Sequence, residues 1–449
     1  MIAAIQIQLA CLRRSTGDPG LPYSPAQYQG RAARRTSVLR GIAARSPRSG
    51  APAPYGGGIR VWSTALSQPQ SLLPLDEHNR LLLANVRPPD WVNPPPADRY
   101  NLVAIGAGTA GLVASAGAAL IGGRAALVER ALLGGDCLVT GCVPSKTLIR
   151  SARAVADIAR ARDYGIAVEG APRVDFARVM ERLRRVRAEI SPHDSVAEFT
   201  RRGVDVFLGE ARFLGPDRVA VGDTVLRFRK AVIATGARPA HPEIPGLAEA
   251  GFLTSETVFS LSTLPPRLAV VGGGPIGCEL AQAFRRLGST VTLLQRPGRI
   301  LEHEDPEAAE IIAAVFAREG VTAITGCTIE RVEHSPGGKV LHYRTPAGAG
   351  RIEVDAILVG AGRQPNVEGL GLEEAGVRYD GKRGVIVDDT LRTSNPNIYA
   401  CGDVSMRWKF THAADAAARL VVENALAFGR KKLSDLVMPW CTYTDPEIA

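Results

Sequence analysis

The stretch Leu102-Val103-Ala104-Ile105-Gly106-Ala107-Gly108-Thr109-Ala110-Gly111 decides how this chain of 449 residues is read. Four apolar residues form a strand-like run, and Gly106, Gly108 and Gly111 follow at the spacing of a dinucleotide-binding turn that opens a helix. The first glycine permits the tight turn, the second a close approach to pyrophosphate, and the third close helix–strand packing. Eighteen residues past Gly111, Leu127-Val128-Glu129 ends on an acid, where a carboxylate meets a ribose hydroxyl. The uncharged stretch from Asn101 to Gly123 is also long enough to span a membrane. Its six glycines and the acidic strand end point instead to a buried strand–helix–strand unit.

The same device recurs downstream. Leu268-Ala269-Val270-Val271 leads into Gly272, Gly274 and Gly277, and Val291-Thr292-Leu293-Leu294 ends at Gln295, again eighteen residues beyond the third glycine. Two copies at one spacing imply two bound dinucleotides and an α/β fold. In the second copy the acid is replaced by Gln295, followed by Arg296 and Arg299. Loss of a carboxylate and gain of guanidinium groups suits a ribose 2′-phosphate, so NADPH is favoured over NADH. The alternative is that both arginines are solvated strand-end charges.

Between the two copies lies Gly134-Gly135-Asp136-Cys137-Leu138-Val139-Thr140-Gly141-Cys142-Val143-Pro144-Ser145-Lys146. On a regular helix, positions five apart are turned by about 140° and rise about 7.5 Å, beyond the roughly 7 Å Cα limit for a disulfide. The segment must therefore be pinched. Gly135 and Gly141 supply the backbone freedom, and Pro144 suits an early helix position. Cys142 then sits where free amides and the helix dipole favour a thiolate. A metal site is disfavoured, because zinc ligands are usually closer in sequence and this neighbourhood has no His. A redox pair beside a bound dinucleotide is the expectation.

With these motifs in hand, the chain resembles the class I pyridine nucleotide-disulfide oxidoreductases, the flavoprotein disulfide reductases that include glutathione reductase and dihydrolipoamide dehydrogenase. It looks most like their mercuric-reductase-like members, from about Asp98 to the last residue. Further markers are Ala234-Thr235-Gly236, Gly360-Ala361-Gly362-Arg363-Gln364-Pro365-Asn366 and Ile398-Tyr399-Ala400-Cys401-Gly402-Asp403. The resemblance implies FAD as cofactor, its ADP half held by Gly106, Gly108, Gly111 and Glu129. Gly135, Thr235, Gly236, Gly362, Arg363, Gly402 and Asp403 would complete the flavin site, with Asp403 at the ribityl and phosphate region. Gly272, Gly274, Gly277, Gln295 and Arg296 would hold the nicotinamide dinucleotide. Cys142 would be the charge-transfer thiolate, Cys137 the interchange thiol, and Lys146 the cation against the isoalloxazine, paired with Glu279.

The resemblance also implies domains. Residues 98–243 and 361–439 would form a discontinuous FAD domain of the three-layer Rossmann-like type, interrupted by an NAD(P) domain at 244–360. Residues 440–449 would begin a dimerisation domain, the rest of which is missing, so the family's homodimer and its His-Glu pair from the partner are in question. His412, next to Thr411, matches a flavin-side segment and is read as structural or flavin-adjacent. The C-terminal cysteine pair that captures metal in mercuric reductases proper is not visible either. Three readings follow: a reductase of a disulfide or a thiol-bound metal ion, a dihydrolipoamide dehydrogenase, or an FAD-binding chain with diaphorase activity or none.

Residues 1–75 carry nine Arg, no Lys and one acid, Asp18, a local charge of +8 against +9 for the whole chain. The body is thus nearly neutral, and the high isoelectric point is no sign of nucleic acid. The segment reads as an organellar transit sequence, with plastid or mitochondrial location, or as a disordered leader or translated sequence upstream of the true start of a cytoplasmic protein. Residues 76–97 look like an ordered lead-in with a Pro-rich linker, and the Arg-dense segment Phe176 to Ala188 like a solvated helix face. Cys11, Cys278, Cys327, Cys401 and Cys441 are scattered and suit small core positions in a reducing compartment. The expected partner is a small-molecule or thiol substrate, with neither nucleic acid nor membrane.

Overall fold

A computed structural model describes residues 72–170 and 172–449. Nearly all of the Arg-rich leader, Cys11 included, lies outside the described residues.

Two parallel sheets organise the chain. In the first, strands Val204–Leu208, Ala125–Glu129, Tyr100–Ile105 and Thr224–Ile233 lie side by side in that order, and Ile398–Ala400 joins on the far side. Strand 224–233 also pairs antiparallel with Arg218–Val221, which pairs with Ala211–Gly215. The second sheet orders Val321–Ile324, Thr290–Leu294, Arg267–Val271 and Ala356–Val359, all parallel. An antiparallel meander, Thr328–Ser335, Gly338–Thr345 and Gly348–Val354, is inserted before its last strand. Because strand 398–400 returns to the first sheet after the second is complete, the fold is α/β with a discontinuous first Rossmann-like domain.

The central strands read as unbroken apolar runs because both faces are covered. Leu102 and Ala104 pack with the helices Thr109–Leu120 and Thr411–Leu426. Val103 and Ile105 face Phe207, Phe213 and Phe228 on the other side. Each fully buried Leu or Phe of this kind contributes roughly 1.5–3 kcal/mol. The stretch from Asn101 to Gly123 is thus a strand and a short helix, and among the described residues no helix is long and apolar enough to cross a membrane.

The lead-in is part of this core. Helix Glu77–Val86 is capped by the Asp76 carboxylate, which accepts from Asn79 N, and it buries Asn79, Leu82 and Val86 completely. It packs on helix Phe176–Ile190. The solvated arginine face expected there holds for Arg178 and Arg185 but not for Arg184 and Arg187, which are buried. The reason is a polar surface on the lead-in: Arg184 donates to Asp76, and Arg187 to Asn79.

The two glycine turns are built alike. Gly106 and Gly272 have φ of +100° and +108°, a region that costs side-chain-bearing residues. A Cβ on Gly111 would lie 1.7 Å from Gly106 O, and one on Gly277 would lie 1.9 Å from Gly272 O. Those glycines let helix and strand touch. Gly274 differs, since a Cβ there meets nothing within 4 Å. Gly111→Ala is therefore expected to destabilise the chain by about 1–3 kcal/mol or more through overpacking. Gly274→Ala should leave the thermal midpoint essentially unchanged; scanning fluorimetry of both variants checks the contrast.

Candidate functional site

The redox motif folds as two helices separated by a break. Cys137 sits on the short helix Gly135–Val139, and Cys142 is the first residue of Cys142–Ala159. Gly134 and Gly135 both take positive φ, and a Cβ on Gly141 would lie 2.6 Å from Asp136 O, so the pinch depends on these glycines. Both cysteines are free thiols in this structure and half-buried. Hydrogen bonding from Cys137 pulls Cys142 down to about 6; burial opposes this, and Lys146 and Thr411 reinforce it. Cys137 moves the opposite way, well above the ordinary thiol range, held up by its bond to Cys142 and by burial. One sulfur thus holds the charge and its neighbour the proton.

Lys146, one turn along from Cys142, donates to Glu279 Oε2 at 2.9 Å. Burial works against its charge, yet Glu279 and Cys142 hold its pKa above the usual lysine value. Glu279 is buried on the helix Pro275–Leu287 that follows the second glycine turn, so this pair joins the redox helix to the second sheet. Thr411 Oγ1 lies 3.1 Å from Cys142 Sγ. Beside Cys137 is a cavity of about 10 Å³, room for one water, lined in part by Thr109, Asp194 and Thr411.

At the first glycine turn, the buried Glu129 carboxylate accepts from Ala107 N and Ala131 N, each at 2.6 Å. Burial raises its pKa against those bonds. At the second turn Gln295 Oε1 accepts from Gly273 N at 2.7 Å, the same contact without the charge. Arg296 is exposed. Arg299 Nη2 donates to Glu302 O, while its Nη1 is buried with no protein partner.

The remaining motifs bind one another. Thr235 Oγ1 donates to Asn366 O, Asn366 Nδ2 to Thr235 O and Asn366 N to Gly236 O, fastening the two links between the sheets. Arg363, at the start of strand Arg363–Pro365, donates to Ala237 O and pairs with both Asp136 and Asp403. Burial raises the Asp403 pKa, and Arg363 and Lys409 counter it. Gly362 and Gly402 flank these partners, at φ of +105° and +81°. His412 stacks on Phe410, and its Nε2 lies against Pro439 O.

Sequence patterns did not disclose Tyr443. Its N–H donates to Glu279 Oε1 at 2.9 Å, and Lys146 Nζ stands 4.5 Å from its ring centroid. Residues 440–449 thus lie against the Lys146–Glu279 pair, held also by Arg286 on Asp445 and Trp440 on Glu304. Contacts across some 160 residues of chain leave no local signature.

Two Rossmann-like turns joined through a thiol pair of opposed acidity define a dinucleotide-dependent redox protein. Residues 100–418 match the family model for pyridine nucleotide-disulphide oxidoreductase, and the chain belongs to that family of flavoprotein disulfide oxidoreductases, which implies FAD and a pyridine nucleotide. It is 36% identical over 350 residues to mercuric reductase of Staphylococcus aureus, covering 78% of this chain and 64% of that protein. It is 34% identical to dihydrolipoyl dehydrogenase of Mycoplasma pneumoniae, covering 78% of this chain and 76% of that one. The HOCl-induced flavoprotein disulfide reductase RclA of Escherichia coli superposes with a TM-score of 0.68 at 30% identity, over 78% of this chain and 76% of that one. The chain thus spans about two thirds or less of the length of the mercuric reductases it matches first.

In the reduced chain, alkylation of Cys142 is expected to be half-maximal near pH 6. Lys146→Met removes a cation that favours the thiolate and should raise that midpoint; Glu279→Gln removes an opposing anion and should lower it. Iodoacetamide labelling against pH, with site assignment by mass spectrometry, checks both directions.

Proposed function

We propose that this chain is an NADPH-preferring flavoprotein reductase that passes an electron pair into a Cys137–Cys142 disulfide and on to a disulfide or thiol-bound metal substrate. The carrying observation is the split acidity of the two thiols above Lys146 and Glu279. Reduction of the disulfide by two electrons and one proton leaves Cys142 as thiolate and Cys137 as thiol. With a disulfide substrate, Cys137 is then the sulfur that exchanges: it gives up its proton to the departing substrate thiol as the mixed disulfide forms, and Cys142 attacks Cys137 to release the second substrate thiol and restore the Cys137–Cys142 disulfide. Lys146 holds positive charge beside the sulfur that becomes negative, a preorganised electrostatic role.

The first turn fits FAD. A Cβ on Gly108 would come no nearer than 4.0 Å to any protein atom, so its smallness answers a ligand rather than the protein's own packing. Helix Thr109–Leu120 has no side-chain cap, which leaves amides for a pyrophosphate, with Glu129 at the ribose end. When bound, FAD would supply two-electron transfer between reduced nicotinamide and the disulfide. The open approach at Gly274 supports a second dinucleotide in the same way, and the buried, unpartnered Nη1 of Arg299, three residues after Arg296, favours a 2′-phosphate. A homodimer and a reducing compartment complete this reading by likeness to the family.

The test is anaerobic titration of purified protein with NADPH and NADH, followed by visible absorption. A bound flavin reduced more readily by NADPH, with a long-wavelength thiolate band lost in Cys142→Ser, is the expected result. Arg296→Ala with Arg299→Ala should weaken NADPH about tenfold or more while leaving NADH alone, since charge-assisted bonds contribute roughly 1.5–3 kcal/mol. A preference for NADH with lipoamide turnover would instead indicate dihydrolipoamide dehydrogenase chemistry.

A further inference from the structure

Arg187 is 1% exposed on the helix Phe176–Ile190, which packs behind the redox motif. Its Nη1 donates to Val139 O at 2.8 Å, the carbonyl that ends the short helix bearing Cys137. Its Nη2 donates to Asn79 Oδ1 at 3.0 Å, on the lead-in helix. Nε is buried with no partner. Burial first, then the charge of Arg184, pushes its pKa down to about 10, against the pull of Asp76, so it remains a cation at neutral pH. Burying an incompletely bonded cation costs stability, and a well-packed apolar residue of similar size is often as good or better for the fold. Packing alone therefore does not account for an arginine at this position.

The reason lies in what Val139 O controls. The helix Gly135–Val139 has five residues, too few to hold itself. Arg363 secures its first turn through Asp136, and Arg187 secures its last carbonyl. The lead-in grips the chain just before it as well: Arg87 donates to Arg130 O and Ala131 O, and Leu133 N donates to Val86 O. Asn79 is itself tied down by donating to Pro74 O at 2.8 Å.

We propose that Arg187, anchored from behind by Asn79, is a positioning residue of the redox pair, holding the carbonyl end of the Cys137 helix so that Cys137 stays against Cys142. This rests on the redox reading of the pair and adds what maintains it. The residues 72–87 then serve the thiol chemistry, although none of them touches a sulfur.

The Cys137 contact is the largest influence holding Cys142 low, so the acidity of Cys142 reports the position of Cys137. The other charged or titratable groups acting on the pair are Lys146, Glu279 and Asp194, and none of them is altered by the variants. The full-length chain, reduced with a phosphine, is alkylated with iodoacetamide between about pH 4 and pH 9, spanning the thiol range. Fragment masses separate Cys137 from Cys142, and thermal midpoints are recorded alongside.

In Arg187→Met the Cys142 midpoint is expected to move up towards the ordinary thiol range, each unit lowering the rate well below the midpoint about tenfold. Arg187→Lys, which keeps a cation able to reach Val139 O, should restore part of the shift. Asn79→Ala should shift it less, in the same direction. A folded Arg187→Met protein with the wild-type midpoint overturns the proposal, whatever its melting temperature. If the Met variant fails to fold, a folded Asn79→Ala protein with an unmoved midpoint overturns it equally. A wild-type chain with no low-midpoint thiol would refute the redox reading itself, and this proposal with it.

Discussion

Two sulfurs five residues apart interact only if the chain between them leaves helical geometry, and much of the structure serves that departure. Gly134, Gly135 and Gly141 make the break possible, but freedom alone would leave the loop in many states. What selects one state is an arginine at each end of the five-residue Cys137 helix, Arg363 on Asp136 and Arg187 on Val139 O. Each arginine is in turn oriented by a distant partner, Asp403 for the first and Asn79 for the second. The thiols are therefore arranged by contacts from across the first domain, and within that arrangement their mutual hydrogen bond leaves one holding the charge and its neighbour the proton.

The two glycine turns show one backbone solution carrying two chemistries. In both, a side-chain oxygen at the end of the next strand accepts from the second residue of the turn, Glu129 on Ala107 and Gln295 on Gly273. The shape of the turn is preserved, and only the charge changes. A carboxylate at the first turn and an uncharged amide followed by arginines at the second give the two sites different electrostatic preferences on the same scaffold. The Lys146–Glu279 pair then couples them, since one partner belongs to the redox helix and the other to the helix opened by the second turn.

The candidate site was legible to the degree that its determinants are local. Glycine spacing, the acid eighteen residues on, and the Cys–Cys interval are short-range constraints, because a tight turn, a ribose contact and a pinched helix start each involve one continuous segment. Tyr443 beneath Lys146, Arg363 between two aspartates, and Arg187 on Val139 O were not legible, since each joins residues tens to hundreds of positions apart. The Arg-dense helix shows the same limit: its pattern suggested a solvated face, and the lead-in residues that cover Arg184 and Arg187, Asp76 and Asn79, are each 108 residues upstream.

What the amino-acid sequence determined on its own was the kind of protein: an α/β chain with two dinucleotide turns and a thiol pair between them, because backbone geometry at glycine and side-chain chemistry at strand ends act over a few residues. The helix start at Cys142 already marked it as the thiolate; what only the tertiary structure decided was which groups set the two thiols apart in acidity. That difference arises first from the hydrogen bond between the two thiols, then from burial and from the Lys146 and Glu279 charges, and this setting exists only once the sheets, the lead-in helix and the 440–449 segment have packed around the redox helix.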